Sequence, residues 1–170
     1  MLTFVIGGAG SGKSAFAEAH VCRLNGKKIY LAAMIPRDAE SRARVEKHRA
    51  QRAGRGFETL ERGLGLEDVQ IPCGANVLLE DLSNLLANEM YEPEGLGPEA
   101  VRRGLAHLIT ACENLTVVSN EVFSGGAEYD AESLRYMRAL AELNRALAAR
   151  ADLAVEIVCG LTNVLKGALP

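Results

Sequence analysis

A glycine-rich run near the start of the chain has the residue types and spacing that cradle a phosphate. It reads GGAGSGKS and comprises Gly7, Gly8, Ala9, Gly10, Ser11, Gly12, Lys13 and Ser14. Glycines let the backbone bend so that several N–H groups point at phosphate oxygens, and a following helix adds its positive N-terminal end. In this pattern Lys13 reaches the β- and γ-phosphates, while the Ser14 hydroxyl binds Mg²⁺. The run predicts a P-loop that binds ATP or GTP.

A carboxylate at the end of an apolar run offers the second half of a magnesium site. Residues 76–80 predict a buried strand that ends in Glu80, and Asp81 follows directly. P-loop enzymes use an acid at the end of a neighbouring strand to orient the metal. Glu80 is the better candidate because it stands directly after the apolar run, and Asp81 is the alternative. We therefore expect Ser14 and Glu80 to hold Mg²⁺.

A second pattern suited to phosphate is a basic segment with a histidine in its middle. Residues 37–55 hold seven basic residues against three acidic ones, although the whole chain has a net charge of -3. The segment lacks a proper apolar stripe, so we expect a helix that packs lightly. His48 has two interpretations: a solvated surface histidine, or a nucleophile that its cationic neighbours keep deprotonated. Composition alone does not choose between them.

The overall composition is that of one ordinary soluble domain. The chain has 170 residues, of which 48% are hydrophobic and 24% charged, and this length suits a single core. The net negative charge gives no general attraction to nucleic acid. The four cysteines form no C-x-x-C pair, so we interpret them as reduced and mostly buried. Without a basic leader or a span-length apolar run, a cytoplasmic location is expected.

Strand-length apolar runs alternate with helical patterns along the chain. Strands are predicted at residues 2–6, 28–33, 57–61, 76–80, 115–119 and 153–159, and helices at 13–24, 38–52, 82–90, 98–113 and 131–150. Residues 63–74 and 92–98 are predicted to be loops. The alternation predicts an α/β fold, namely a single-domain P-loop NTPase-like fold with a mostly parallel sheet and helices on both faces.

The order and spacing of these features resemble the bifunctional adenosylcobinamide kinase and adenosylcobinamide-phosphate guanylyltransferase family of cobalamin synthesis. The resemblance runs from Met1 to Lys166 and covers the P-loop, the run 44–49 around His48, the strand ending in Glu80, and residues 119–122 and 144–149. The chain departs from the usual family pattern at residues 123–130 and at 162.

The resemblance implies two reactions at one site. In that family the histidine matching His48 takes GMP from GTP as a covalent phosphoramidate and passes it to adenosylcobinamide phosphate. The same enzymes first make that phosphate from adenosylcobinamide and a nucleoside triphosphate. The resemblance also implies nucleotide-binding roles for Arg49, Arg52 and Glu61. It implies small-molecule partners, a nucleoside triphosphate and a corrinoid, without nucleic acid or a membrane span, and a homo-oligomer such as a trimer.

Two other functions stay open at this point. A small-molecule P-loop kinase without a histidine intermediate would use the same loop, and a GTP-dependent covalent adduct separates it from the first interpretation. A P-loop regulatory protein that hydrolyses nucleotide slowly is the second. A GTPase usually carries an Asn-Lys-x-Asp motif that reads guanine, and residues 119–121 are a poor substitute for it.

Overall fold

Seven strands and five α-helices alternate along the chain. The computed structural model describes residues 1–52, 54–126 and 128–169, without the side chains of residues 40, 41, 44, 47, 48, 51 and 52. The strands are β1 Leu2–Gly7, β2 Lys28–Ala32, β3 Phe57–Glu61, β4 Asn76–Glu80, β5 Asn114–Asn120, β6 Leu153–Val158 and β7 Leu161–Lys166. The helices are α1 Lys13–Cys22, α2 Ala39–Arg52, α3 Leu82–Tyr91, α4 Pro98–Ala111 and α5 Ala131–Arg150. These elements confirm every predicted helix and the six predicted strands, within a few residues at their ends.

The strands form one sheet in the order β3-β2-β4-β5-β1-β6-β7. All neighbouring pairs are parallel except the last, in which β7 runs antiparallel to β6. Parallel strands place their carboxyl ends at one edge of the sheet, where doubly wound folds bind ligands. The mostly parallel α/β sheet predicted from the sequence is confirmed.

Side chains alternate between the two faces of the sheet, and helices cover both faces. Phe4 belongs to the larger core cluster, together with residues of α3, α4 and α5. Val5 belongs to the second cluster, which includes Ala17 and Val21 of α1. Among the described side chains, α2 contributes none to either cluster, as expected for a helix without an apolar stripe. Within the described residues, no helix is both long and apolar enough to cross a bilayer.

Two features differ from the sequence-based expectation. Strand β7 was not predicted, because all six of its residues are exposed and it therefore lacks the alternation of a half-buried strand. The prediction that the cysteines are mostly buried is wrong: Cys73 and Cys159 are exposed, while Cys22 and Cys112 are half-buried. Cys73 and Cys159 lie in turns, where the chain runs along the surface. All four are free thiols.

Candidate active site

The P-loop connects β1 to α1 and is held from two sides. Gly12 directly precedes α1 with a φ of 96°, a conformation that favours glycine. A Cβ atom on Gly7 would lie 2.5 Å from the carbonyl oxygen of Ile157, so β6 leaves no room for a side chain there. The Gly160 N–H donates to the Ser11 carbonyl at 2.8 Å. The turn between β6 and β7 therefore supports the loop, a contact that the sequence did not indicate.

Lys13 begins α1 and points back along the loop. Its side chain is buried, and its ammonium donates to the Gly8 carbonyl at 3.0 Å. No described side chain caps the N-terminus of α1, so the first N–H groups of the helix remain available for an anion. The Lys13 ammonium and the N–H donors of the first turn of α1 therefore lie beside the same loop, where an anion could contact both.

Glu80 and Ser14 meet across the sheet edge as the sequence predicted. The Ser14 hydroxyl donates to Glu80 Oε1 at 2.6 Å. The other oxygen, Oε2, is buried and has no hydrogen-bond partner among the described residues. Burial raises the pKa of Glu80 to about 7, against the opposing effect of the Ser14 hydrogen bond. A buried carboxylate with a free oxygen beside a serine hydroxyl is a donor set that suits a hard cation.

Asp81, the alternative metal ligand, has a structural role instead. Its carboxylate caps α3 by accepting from the Asn84 N–H at 2.8 Å, and it also accepts from the Ser83 hydroxyl at 2.5 Å. The Asn120 amide donates to it at 3.3 Å. Both carboxylate oxygens are therefore engaged, and Glu80 remains the better candidate.

These groups surround a cleft of about 790 Å³, which we call the phosphate pocket. Its lining comprises Ala9, Gly10, Ser11, Gly12, Lys13, Ser14, Ala15, Tyr30, Ala32, Met34, Val45, Glu80, Asp81, Ser83, Asn84, Asn120, Glu121 and Val122. The sequence predicted the loop and Glu80 but missed Asn120, Glu121 and the α3 residues. Their position at or just after the carboxyl ends of β4 and β5 was the available signal, because the carboxyl ends of parallel strands share one edge. The described residues contain no group of three or more His, Cys, Asp or Glu side chains that could hold a metal.

Two of the predicted nucleotide-binding residues outside the P-loop, Arg49 and Glu61, pair with each other. Arg49 forms ion pairs with Glu46, at 2.8 Å, and with Glu61, and neither Arg49 nor Glu61 lines the phosphate pocket. The side chains of His48 and Arg52 lie outside the described residues. Val45, on the same helix as His48, does line the pocket, so α2 borders the phosphate pocket.

Comparison with known proteins gives a consistent family assignment. The model of the family described as cobinamide kinase / cobinamide phosphate guanyltransferase matches residues 3–165. A bifunctional adenosylcobalamin biosynthesis protein of Pseudomonas aeruginosa, CobP, is 30% identical over 173 residues, covering 98% of both chains. The protein of the same description from Escherichia coli, CobU, is 30% identical over 184 residues, covering 98% of this chain and 100% of its own. Among solved structures, the P4 protein of bacteriophage phi6 with ADP aligns with a TM-score of 0.40 and 16% identity, over 95% of this chain and 53% of its own.

Proposed function

This chain belongs to the cobinamide kinase / cobinamide phosphate guanyltransferase family. From that premise we propose which of its residues serve each of the two reactions. The P-loop and Glu80 serve phosphoryl transfer from a nucleoside triphosphate to a cobinamide. His48 serves transfer of GMP from GTP to the phosphorylated product. The proposal rests mainly on the hydrogen bond between Ser14 and Glu80, which brings the P-loop and the acidic end of β4 together. The family model matches nearly the whole chain, residues 3–165.

In the kinase reaction the chain's main task is to position and neutralise phosphate. The N–H groups of the loop and of the first turn of α1 bind phosphate oxygens, and the Lys13 ammonium exchanges its contact with Gly8 for the β- and γ-phosphates. The cobinamide hydroxyl then forms a bond to the γ-phosphorus as the bond to the β-phosphate oxygen breaks.

We assign the magnesium of this reaction to Ser14 and Glu80. The free, buried Oε2 atom of Glu80 fits this role, since Mg²⁺ typically binds one or two protein oxygens and takes its other ligands from phosphates and water. Bound Mg²⁺ would neutralise charge on the phosphates. It would also favour the ionised form of Glu80, whose pKa burial raises to about 7.

In the second reaction His48 is the nucleophile. An imidazole nitrogen attacks the α-phosphorus of GTP, pyrophosphate leaves, and an oxygen of cobinamide phosphate later displaces the histidine from the GMP group. The location of α2, the helix that carries His48, supports this role, because Val45 of the same helix lines the phosphate pocket. The exposed Arg49 lies on the same helix and is suited to bidentate contact with phosphate oxygens. The predicted homo-oligomer and the cytoplasmic location stay predictions.

The proposed function is tested by following the corrinoid through both steps. With adenosylcobinamide, ATP and Mg²⁺, we expect the purified protein to form adenosylcobinamide phosphate. Addition of GTP should convert this product to adenosylcobinamide-GDP, as measured by chromatography and mass spectrometry. Formation of neither product would contradict the proposal. Formation of the phosphate alone, with no GDP derivative, would favour the kinase without a histidine intermediate.

Glu80→Gln should weaken the dependence of kinase activity on magnesium. The amide keeps the shape of the carboxylate but lacks its charge, so we expect the Mg²⁺ concentration for half-maximal rate to rise by about tenfold or more. The matched control is Glu121→Gln, which neutralises another carboxylate of the phosphate pocket and should leave the Mg²⁺ titration unchanged. An unchanged titration in Glu80→Gln would remove Glu80 from the metal site.

A further inference from the structure

A second cavity, which we call the tyrosine cavity, opens beside the phosphate pocket. It has a volume of about 520 Å³ and lies between α3, the segment after β5 and the first turns of α5. Its lining comprises Ala87, Tyr91, Val122, Tyr129, Asp130, Glu132, Ser133, Tyr136 and Met137. Three of the four tyrosines of the chain are in this lining, so the aromatic surface of the protein is concentrated here.

The tyrosine cavity adjoins the phosphate pocket. Val122 lines both cavities. The Tyr136 hydroxyl donates to the carbonyl of Ser83 at 3.1 Å, and Ser83 lines the phosphate pocket. The Glu121 N–H donates to the Gly7 carbonyl at 3.0 Å. This hydrogen bond holds the start of the segment after β5, which includes Val122, against the P-loop. A molecule seated in the tyrosine cavity could therefore extend one arm past Val122 toward the phosphates.

The lining of the cavity differs in charge from that of the phosphate pocket. It includes two acidic residues, Asp130 and Glu132, and none of its residues is basic, so it repels phosphate groups. A nucleotide is therefore a poor occupant. An unphosphorylated cobinamide carries amide side chains and no anionic group, and this lining suits it.

The exposed tyrosines extend the cavity onto the surface. Tyr91 is 42% exposed and Tyr129 is 37% exposed, although large apolar rings are ordinarily covered. The rings of Tyr91 and Tyr136 lie 6.5 Å apart and are tilted by 36°. A corrin macrocycle with its side chains is too large to enter the cavity completely, so part of it would lie on the exposed ring faces.

We propose that the tyrosine cavity is the acceptor site, where a corrinoid binds by its macrocycle and amide side chains against Tyr91 and Tyr129 and directs its hydroxyl arm past Val122 to the P-loop. This inference rests on the proposed function for the identity of the acceptor. It adds the place where the acceptor binds and the residues that select it over a nucleotide.

The test measures binding and kinetics separately for the two substrates. Tyr91→Ala and Tyr129→Ala should each raise the KM for cobinamide by about tenfold. The KM for ATP, and the kcat at saturating cobinamide, should stay within about twofold of the wild-type values. Tyr91→Phe keeps the ring and should bind cobinamide normally. Leu165→Ala, a truncation of a β7 side chain that is 57% exposed and lines neither cavity, is the matched control. Equilibrium dialysis with cobinamide, which absorbs visible light, measures binding directly. The two alanine variants should bind cobinamide more weakly than wild type, Tyr91→Phe and Leu165→Ala.

The outcomes separate the acceptor site from the proposed function. If wild-type protein phosphorylates cobinamide but both alanine variants retain its KM and affinity, the acceptor site lies elsewhere and this inference is wrong. If the KM for ATP rises as much as that for cobinamide, the tyrosines only support the fold, and the inference is again contradicted. If wild-type protein phosphorylates no cobinamide, the proposed function fails; equal affinity of wild type and both alanine variants for cobinamide in equilibrium dialysis would then also contradict the acceptor site, and weaker binding by the variants would support it.

Discussion

Lys13→Ala is expected to lower the kcat of the kinase reaction by about a thousandfold, which corresponds to about 4 kcal/mol of activation free energy. The ammonium meets negative charge that develops on the transferred phosphate, and no other cation of the described residues lines the phosphate pocket. The fold should survive, because within the described residues the Lys13 ammonium donates its hydrogen bond to a carbonyl of its own loop, at Gly8. Steady-state kinetics with cobinamide and ATP measure the effect, and thermal unfolding reports on the fold.

Lys28→Ala provides a matched control for this variant. Its ammonium also donates to a nearby carbonyl, that of Gly26 at 3.4 Å, but it lies at the opposite end of β2 from the phosphate pocket. We expect wild-type kcat from this variant. A Lys13→Ala enzyme with turnover within about tenfold of wild type would mean that the loop neutralises phosphate through its backbone alone.

His48→Ala or His48→Asn should abolish covalent labelling by GTP that carries its label on the α-phosphate, while phosphorylation of adenosylcobinamide persists. Wild-type protein should take up this label but none from the γ-phosphate, because pyrophosphate leaves with the γ-phosphorus. The N–P bond of a phosphoramidate is labile in acid and stable in base, unlike the ester that a serine would form. The stability of the label after denaturation therefore identifies the nucleophile.

His107→Gln is the control for the loss of a histidine. The ring nitrogen Nε2 of His107 contacts the Val69 carbonyl at 2.8 Å, and this residue lines neither cavity, so its replacement should leave the label intact. Wild-type protein that acquires no label with GTP and Mg²⁺ would exclude a covalent intermediate. Normal labelling of the His48 variants would move the nucleophile to another residue.

The sequence predicted the parts of the fold and of the site that are local in the chain. The P-loop, Lys13 and Ser14 are recognisable because their spacing fixes the backbone that they need. Glu80 was chosen as a candidate because an apolar run predicts a buried strand that ends there, and its contact with Ser14 shows that this strand end lies near the loop; its role in binding the metal stays a prediction. The family resemblance is confirmed by the match over residues 3–165.

The contacts that the sequence could not predict depend on the order of strands in the sheet. Asn120 approaches Asp81 only because β5 lies next to β4, and no spacing in the chain indicates that. Arg49 was assigned to the nucleotide, yet in the structure it pairs with Glu46 and Glu61. The nucleotide-binding roles of Arg49, Arg52 and Glu61 and the catalytic role of His48 stay predictions.

The position of β1 within the sheet has a consequence for how the protein folds. Both neighbours of β1 come from distant parts of the chain: Leu2 pairs with Leu115 of β5, and Thr3 pairs with Leu153 of β6. Closing such long loops is slow, and chains are synthesised from the N-terminus. The P-loop is made before β5 and β6, so its strand keeps an unpaired edge until β6 has left the ribosome. The contacts of Ile157 and Gly160 with the loop come from β6 and the turn after it, so a nascent chain that stalls before residue 153 carries the phosphate-binding sequence without these supports.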